Sequence, residues 1–186
     1  MSDYILTYTG KKFYPLDPRP EDVDVVDIAH ALSNLCRFTG HLREFYSVAT
    51  HSTYVAQLSY DGQDDTPLYG LLHDASEAYI SDVSRPVKYH PGFSAYLDFE
   101  KKLQSVIYKS FGLSDLMPTA VKEADSRMLV TEMRDLGMPG QFGSVEMPWA
   151  PYSFNVVSQS PKEAEEEFLE LYYKLTENRL VAINGK

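Results

Sequence analysis

The chain has 186 residues, of which 44% are hydrophobic, and it carries a formal net charge of −10 at pH 7. This length suffices for one sizeable core and disfavours two independent domains, so we expect a single domain over residues 1–186. The negative charge argues against polymeric nucleic acid as a partner, because such binding neutralises many phosphates with Lys and Arg. A nucleotide would need only a few clustered cations.

The sequence also lacks signals for a membrane or for export. No stretch reaches the roughly 18 consecutive apolar residues of a membrane span, and Met1 to Tyr4 lack the basic-then-apolar order of a secretory signal. We therefore expect a soluble, intracellular protein of the cytoplasm with no membrane partner. The one cysteine, Cys36, has no partner for an intrachain disulfide and cannot build a thiolate metal site alone.

The spacing of apolar residues predicts an all-α bundle behind a short β-hairpin. The hairpin is expected within an extension over residues 1–20, where β-prone residues flank Thr9-Gly10. Apolar residues then recur every three or four positions, as in amphipathic helices. The first helices are expected over about 24–36 with Asp22 or Asp24 as N-cap, over about 47–60, and from a Thr66 cap onward. The later helices are expected over about 91–111, from Pro118 to about Gly137, and from a Ser160-Pro161-Lys162-Glu163 capping box onward.

Residues 138–158 are rich in Gly, Pro and aromatic residues without clear periodicity, which predicts a long irregular loop. One interpretation is a lid or an oligomer contact. The other is an ordered loop that covers the core, because Trp149, Tyr152 and Phe154 all gain from burial. Exposed aromatics around 141–154 favour a homo-oligomer.

Two polar residues, His73 and Asp74, interrupt an apolar helical stretch where an imidazole and a carboxylate are costly unless a partner satisfies them. A bound cation would be such a partner. Glu77 follows His73 by four residues and Asp74 by three, so all three side chains would share one face of a continuous helix. This geometry suits two metal ligands and a nearby general base.

His51 and Asp125 show the same anomaly in two other predicted helices. His51 aligns with Val48 and Val55 on an apolar side, and Asp125 aligns with Met128. An isolated inward histidine is more often a hydrogen-bonded core residue, and an inward aspartate often pairs locally. Together with the His-Asp pair, however, these residues predict two nitrogen and two oxygen ligands around one divalent ion, with room for water and a phosphate oxygen.

Four segments resemble the motifs of the HD-domain nucleotide phosphohydrolases, a family that includes 5′-deoxynucleotidases and small phage enzymes. The segments are Thr50-His51-Ser52, Leu72-His73-Asp74-Ala75-Ser76-Glu77, Asp82-Val83-Ser84-Arg85-Pro86-Val87-Lys88 and Glu123-Ala124-Asp125, within roughly residues 24–136. The resemblance implies a single HD-domain helical bundle and one divalent ion, Co²⁺, Zn²⁺ or Mn²⁺. Its implied ligands are His51, His73, Asp74 and Asp125.

The same resemblance implies two catalytic residues and two substrate contacts. Glu77 would orient or deprotonate water, and Asp82 would lie beside the sugar. Arg37 and the following aromatic residue, Phe38, would lie near the phosphate and sugar. Phe38 replaces a tryptophan of the bacterial deoxynucleotidases, which alters the expected sugar contact because phenylalanine has no indole N–H.

Two lysines are further candidates for binding the phosphates. Lys88 follows the Asp82 segment, and Lys122 lies about one turn before Asp125. Cations near a phosphoryl group stabilise charge as the leaving group departs, although exposed lysines are the commoner case.

The short His51-to-His73 spacing and the Thr7-Tyr8-Thr9-Gly10 start look most like phage dATP triphosphohydrolases. The resemblance thus implies hydrolysis of a deoxynucleoside triphosphate to deoxynucleoside and triphosphate, with additional Mg²⁺ or Mn²⁺ on the substrate and a phage origin with action in the host cytoplasm. A 5′-deoxynucleotidase that removes phosphate from monophosphates is the alternative. A nucleotide-binding sensor with a structural metal is a third interpretation, against which Glu77 and Asp82 argue.

Overall fold

The computed structural model describes residues 3–63, 65–137, 140 and 148–184. Its elements are β1 (Ile5–Leu6), β2 (Lys12–Phe13), α1 (Val25–Asn34), α2 (Val48–Leu58), α3 (Thr66–Leu72), α4 (Glu77–Ile80), α5 (Arg85–Lys88), α6 (Ser94–Ser110), α7 (Thr119–Leu136) and α8 (Pro161–Asn184), with short 3₁₀ turns at Pro20–Asp22, Arg37–Gly40 and Pro91–Phe93. The protein is thus mostly helical with an N-terminal hairpin, which confirms the predicted fold class. No helix in the described ranges is long and apolar enough to cross a lipid bilayer.

The hairpin is tied to the helices by a buried carboxylate. Strands β1 and β2 are antiparallel, with Ile5 opposite Phe13. Gly10 has φ +82° in the turn, a conformation that favours glycine. The neighbouring Thr9 donates from its backbone N–H and its hydroxyl to the two oxygens of Asp27 on α1, at 2.7 and 2.9 Å. Asp27 is only 3% exposed, so these bonds compensate its burial.

Helix α2 lies at the centre of the bundle. It contacts α1, α3, α7 and α8, and α8 also packs along α1. The largest fully buried apolar side chains come from most of these elements and include Phe13, Ile28, Leu32, Leu71, Leu103, Met128 and Phe168. The polar residue His51 on α2 is buried among them with zero exposure, as its apolar alignment predicted.

Two predicted helix starts are confirmed by their hydrogen bonds. Asp24 is the N-cap of α1, and its side chain accepts from the N–H of Val26 at 2.9 Å. At α8, the hydroxyl of Ser160 accepts from the N–H of Glu163, and the Glu163 carboxylate accepts from the N–H of Ser160. This reciprocal pair is the capping box that the sequence indicated.

The predicted cap of α3 is wrong. Asp65 occupies the N-cap position, and Thr66 is the first helical residue, with its hydroxyl donating to Asp61 at 2.8 Å. The threonine hydroxyl thus donates to a carboxylate of the preceding loop, whereas an N-cap hydroxyl would accept from a backbone N–H of the first turn.

The expectation that His73, Asp74 and Glu77 share one continuous helix is also wrong. Helix α3 ends at Leu72, residues 73–76 form turns, and α4 begins at Glu77. The side-chain amide of Gln104 on α6 explains this break. It donates to the carbonyl of Leu72 at 2.7 Å and accepts from the N–H of Ser76 at 3.0 Å, in place of the helical bond between them.

Of the predicted irregular loop 138–158, the structure describes Gly140 and residues 148–158, and the rest lies outside the described residues. Residues 148–158 contain no helix or strand. The rings of Tyr152 and Phe154 stack with centroids 5.5 Å apart and pack against the core. This part of the loop therefore covers the core through Tyr152 and Phe154, whereas the expected burial of Trp149 is wrong because its side chain is 38% exposed. The homo-oligomer remains a prediction.

Candidate metal centre

Three separate elements bring the four predicted ligands together. His51 lies in α2, His73 and Asp74 lie in the turn after α3, and Asp125 lies in α7. The Nε2 atom of His51 is 3.3 Å from Nε2 of His73 and 3.1 Å from Oδ1 of Asp125. Nε2 of His73 is 3.2 Å from Oδ2 of Asp74. The crosswise distances, from His51 Nε2 to Asp74 Oδ2 and from His73 Nε2 to Asp125 Oδ1, are both 3.9 Å.

These separations suit a shared metal ion. Donor atoms about 2.0–2.2 Å from one ion lie roughly 2.8–3.6 Å from their neighbours at octahedral to tetrahedral angles. The donor atoms of His51, His73 and Asp74 all lie within 4.8 Å of one another, and this group can hold a metal ion. Two imidazole nitrogens with carboxylate oxygens form a donor set of the kind that zinc and other borderline divalent ions prefer.

The second nitrogen of each imidazole is already committed to a hydrogen-bond acceptor. Nδ1 of His73 lies 2.7 Å from the backbone carbonyl of Gly70, and Nδ1 of His51 lies 2.6 Å from the carboxylate of Glu132. Both acceptors favour a proton on Nδ1, which leaves each Nε2 as the nitrogen available to a metal ion. Two lone pairs and two carboxylates converging on one point attract a cation.

The pKa shifts of the predicted ligands also indicate that the cluster attracts a cation. Burial would raise the pKa of Asp74, but His73, His51 and Arg37 hold it well below its usual range. Burial would lower the pKa of His73, but Asp74 and Asp125 outweigh this effect and raise it to about 9. Without a metal, the site thus binds a proton at His73, and metal binding would displace it.

Glu132 is the site residue that the sequence analysis missed. It lies in α7, has zero exposure, and accepts from Arg37 Nε at 3.1 Å in addition to its bond with His51. Burial would raise the pKa of Glu132, but Arg37 and His51 hold it below its usual value. The available signal was its position seven residues after Asp125, which places both carboxylates on one side of the helix.

Arg37 connects Glu132 to the predicted ligand Asp74. Its Nη1 lies 3.6 Å from Oδ2 of Asp74, and the side chain is only 12% exposed. The next residue, Phe38, adopts a left-handed conformation with φ +53° and ψ +28°, as does Thr39. Its ring centroid is 5.7 Å from the guanidinium carbon of Arg37. The strained turn therefore lies beside Arg37, which is next to the predicted ligand Asp74 and has the ring of Phe38 beside its guanidinium.

Glu77 reaches the same region even though it lies in the separate helix α4. It is 7% exposed, and its Oε2 atom has no hydrogen-bond partner within the described part of the chain. Burial, followed by the charges of Asp74 and Asp82, raises its pKa well above the usual value. A buried carboxyl with an elevated pKa is suited to accept a proton near neutral pH.

Asp82 follows a strained residue, Ser81, whose φ of +70° and ψ of +157° are normally found only in glycine. Burial raises the pKa of Asp82, opposed by the charge of Arg37 and reinforced by that of Asp74. Asp82 therefore lies in the same electrostatic environment as the predicted ligands.

The two lysines differ in position. Lys88 lines a cavity of about 750 Å³ together with His73 and Asp74, and its Nζ atom lies 2.5 Å from Oε1 of Glu100. Lys122 is exposed on α7, and no contact with the cluster or this cavity is found for it among the described residues. Its phosphate role remains a prediction without geometric support.

The fold and this cluster define a helical protein with a candidate metal centre between α2, the turn after α3, and α7. No known family model matches the sequence. The chain is 41% identical over 181 residues to the uncharacterized protein YfdR of Escherichia coli K12, a match that covers 96% of this chain and 99% of YfdR. An uncharacterized protein of Rhodobacter capsulatus is 34% identical over 122 residues, 62% of each chain. The chain belongs to the YfdR family.

Proposed function

We propose that the protein is a metal-dependent phosphohydrolase of the HD-domain class that acts on deoxynucleotides. The convergence of the two imidazole Nε2 atoms, each with its Nδ1 committed elsewhere, supports this proposal most strongly. His51, His73, Asp74 and Asp125 would hold one divalent ion, with Co²⁺, Zn²⁺ and Mn²⁺ as candidates. When bound, such an ion activates water and screens the charge of phosphoryl oxygens.

The remaining polar residues then have distinct tasks. Glu77 Oε2, buried and without a described partner, accepts the proton of the attacking water. The Arg37 guanidinium, 3.6 Å from Asp74, binds a phosphoryl oxygen at the edge of the ligand cluster. Asp82 contacts the sugar hydroxyl, and Lys88 neutralises part of the phosphate charge.

The cavity beside His73 and Asp74 provides space for the nucleoside. Its volume of about 750 Å³ lies within the range of small-molecule sites. Leu97, Tyr108 and Met117 give it apolar walls, and Lys88 lies at its polar side. An apolar pocket that opens at a cationic metal site suits a base and sugar whose phosphates point toward the metal.

The first candidate reaction is hydrolysis of a deoxynucleoside triphosphate, dATP in particular, to deoxynucleoside and triphosphate. A 5′-deoxynucleotidase reaction on monophosphates uses the same centre and remains the alternative. The products distinguish them, since only the first reaction releases intact triphosphate.

The test incubates purified protein with deoxynucleoside mono- and triphosphates and with Co²⁺, Mn²⁺, Zn²⁺ or Mg²⁺, and then identifies the products by anion-exchange chromatography. Triphosphate released from dATP supports the first candidate, and orthophosphate released from monophosphates supports the alternative. Tight nucleotide binding without any product would instead indicate a sensor.

Substitution of the ligands checks the centre itself. We expect His73→Ala and Asp74→Ala to abolish metal-dependent hydrolysis and metal binding while circular dichroism shows an intact helical fold. His90→Ala, at an exposed histidine outside the cluster, is the matched control and should retain full activity. Undiminished turnover in either ligand variant would refute the metal assignment.

A further inference from the structure

Glu132 joins two components of the centre through one buried carboxylate. Its Oε1 lies 2.6 Å from Nδ1 of His51, and its Oε2 accepts from Nε of Arg37 at 3.1 Å. The side chains of Glu132 and His51 have zero exposure, so no solvent competes for either bond. An ion pair with Arg37 alone would need only one of these two oxygens.

We propose that Glu132 is a positioning residue of the metal centre, an inference that rests on the proposed metal-dependent function. Its carboxylate keeps the His51 proton on Nδ1, which leaves the Nε2 lone pair for a metal ion shared with His73, Asp74 and Asp125. The same carboxylate orients Arg37 beside Asp74. One residue of α7 therefore orients both the predicted metal ligand His51 and Arg37, the proposed phosphoryl-binding residue.

The two histidines are supported by unequal acceptors, which gives Glu132 a particular role. His73 donates from Nδ1 to the neutral carbonyl of Gly70, whereas His51 donates to a full negative charge. A carboxylate makes the opposite imidazole nitrogen a more basic ligand than a carbonyl does, and such supporting partners change metal affinity about 10- to 100-fold. His51 should therefore be the stronger nitrogen ligand of the pair.

Glu132→Gln tests the proposal with nearly unchanged side-chain size. Glutamine replaces one of the two carboxylate oxygens by an NH₂ group, which donates and cannot accept, so His51 or Arg37 loses its acceptor. We expect the dissociation constant for Mn²⁺ and Co²⁺, measured by calorimetry, to rise by about 10- to 100-fold. Glu123→Gln is the matched control, because Glu123 is an exposed glutamate of the same helix, and it should bind both ions like the wild type.

A second readout is independent of metal and of activity. Long-range ¹H–¹⁵N spectra of metal-free protein, recorded at a pH at which the His51 ring is neutral, report which imidazole nitrogen carries the proton, and we expect His51 as the Nδ1–H tautomer in the wild type. This population should fall in Glu132→Gln. If circular dichroism shows that variant to be unfolded, Glu132→Asp keeps the charge for Arg37 but shortens the reach to His51, and metal affinity should fall with the tautomer population.

The outcomes separate this inference from the proposed function. The positioning role alone would be overturned if a folded Glu132 variant kept the wild-type metal affinity and tautomer population while His73→Ala lost metal binding. If the wild type binds no divalent ion, the proposed function fails, and the tautomer measurement still decides whether Glu132 directs the His51 proton.

Discussion

At the scale of single residues, Glu77 combines deep burial with an unsatisfied oxygen beside the charges of Asp74 and Asp82. A carboxyl in this environment costs stability when it is ionised, and the fold retains it all the same. Strain and unsatisfied polarity of this kind are typical of positions selected for chemistry rather than for stability.

We predict that Glu77→Gln stabilises the metal-free protein by about 1–3 kcal/mol at neutral pH while it removes hydrolysis. Because the folded state raises the pKa of Glu77, it binds the proton more tightly than the unfolded state does. Wild-type stability should therefore fall as the pH rises above the usual value of 4.5, and the advantage of Glu77→Gln should grow. Urea unfolding with EDTA between pH 5.5 and 8 measures this difference. An advantage that stays constant with pH would contradict the prediction.

Ser81 is another residue near the candidate site with a strained backbone. Its N–H donates to the carbonyl of Glu77 at 2.8 Å, and its own carbonyl accepts from the hydroxyl of Tyr96 at 2.9 Å. These two bonds hold the unusual conformation immediately before Asp82. The strained backbone of Ser81 thus determines the position of the next residue, Asp82.

Ser81→Gly should relieve this strain, although glycine also increases the conformational entropy of the unfolded chain. We expect a net gain in stability of about 1 kcal/mol. The same substitution at Ser84, where φ is −54°, is the control and should be neutral or slightly destabilising. Thermal unfolding compares the two variants. Equal loss of stability in both would show that Ser81 is not strained in solution.

At the scale of helices, the close approach of α2 and α3 positions the two histidines. A Cβ atom at Gly70 would lie 2.8 Å from Cα of Ala56 and 2.8 Å from Oγ of Ser59, so these backbones pack closer than any side chain allows. The carbonyl of Gly70 also accepts from His73. This glycine therefore sets the distance between the helices and orients one ligand.

Gly70→Ala should destabilise the protein by about 1–3 kcal/mol, because the neighbouring atoms include the backbone of Ala56 on α2, which cannot move aside cheaply. Since α2 carries His51, the displacement should also weaken Co²⁺ binding. Gly92→Ala is the control, since its nearest neighbour is the flexible ring of His90 at 3.3 Å. Calorimetric titration and thermal unfolding of both variants test this; unchanged metal affinity in a folded Gly70→Ala protein would argue against the coupling.

The sequence predicted most helices and the gathering of His51, His73, Asp74 and Asp125, because each of these residues interrupts a local apolar pattern. It did not predict the end of α3 at Leu72. The cause, the side chain of Gln104, comes from a helix further along the chain, so no local pattern contains it.

Tertiary packing also decides the positions of Glu132 and Lys122, of which the sequence analysis named only Lys122. Glu132 lies on the side of α7 that carries Asp125, but a single glutamate in a helix gives no sign that it is fully buried. Lys122 lies close to Asp125 in sequence, yet it is exposed on the helix. Proximity along the chain selects a helical face only approximately, and tertiary packing decides which residues enter the centre.

At the scale of the whole molecule, the candidate centre joins elements that are far apart in sequence. The predicted ligands come from α2, the turn after α3, and α7, and α2 itself contacts most of the bundle. An ion bound by all three elements is bound only by the folded protein, so its binding free energy adds to folding stability.

We therefore predict that saturating metal raises the unfolding temperature. At a free ion concentration 100 times the dissociation constant, the gain is about 2.7 kcal/mol. For a protein of this size, that corresponds to a shift of roughly 5–11 °C. Differential scanning calorimetry with Co²⁺ or Mn²⁺, and then with excess EDTA, measures the shift and its reversal. Asp125→Asn should lose most of the shift because it removes the α7 ligand, whereas His90→Ala should keep it. Identical unfolding temperatures with metal and with EDTA would show that the three elements are not joined by an ion.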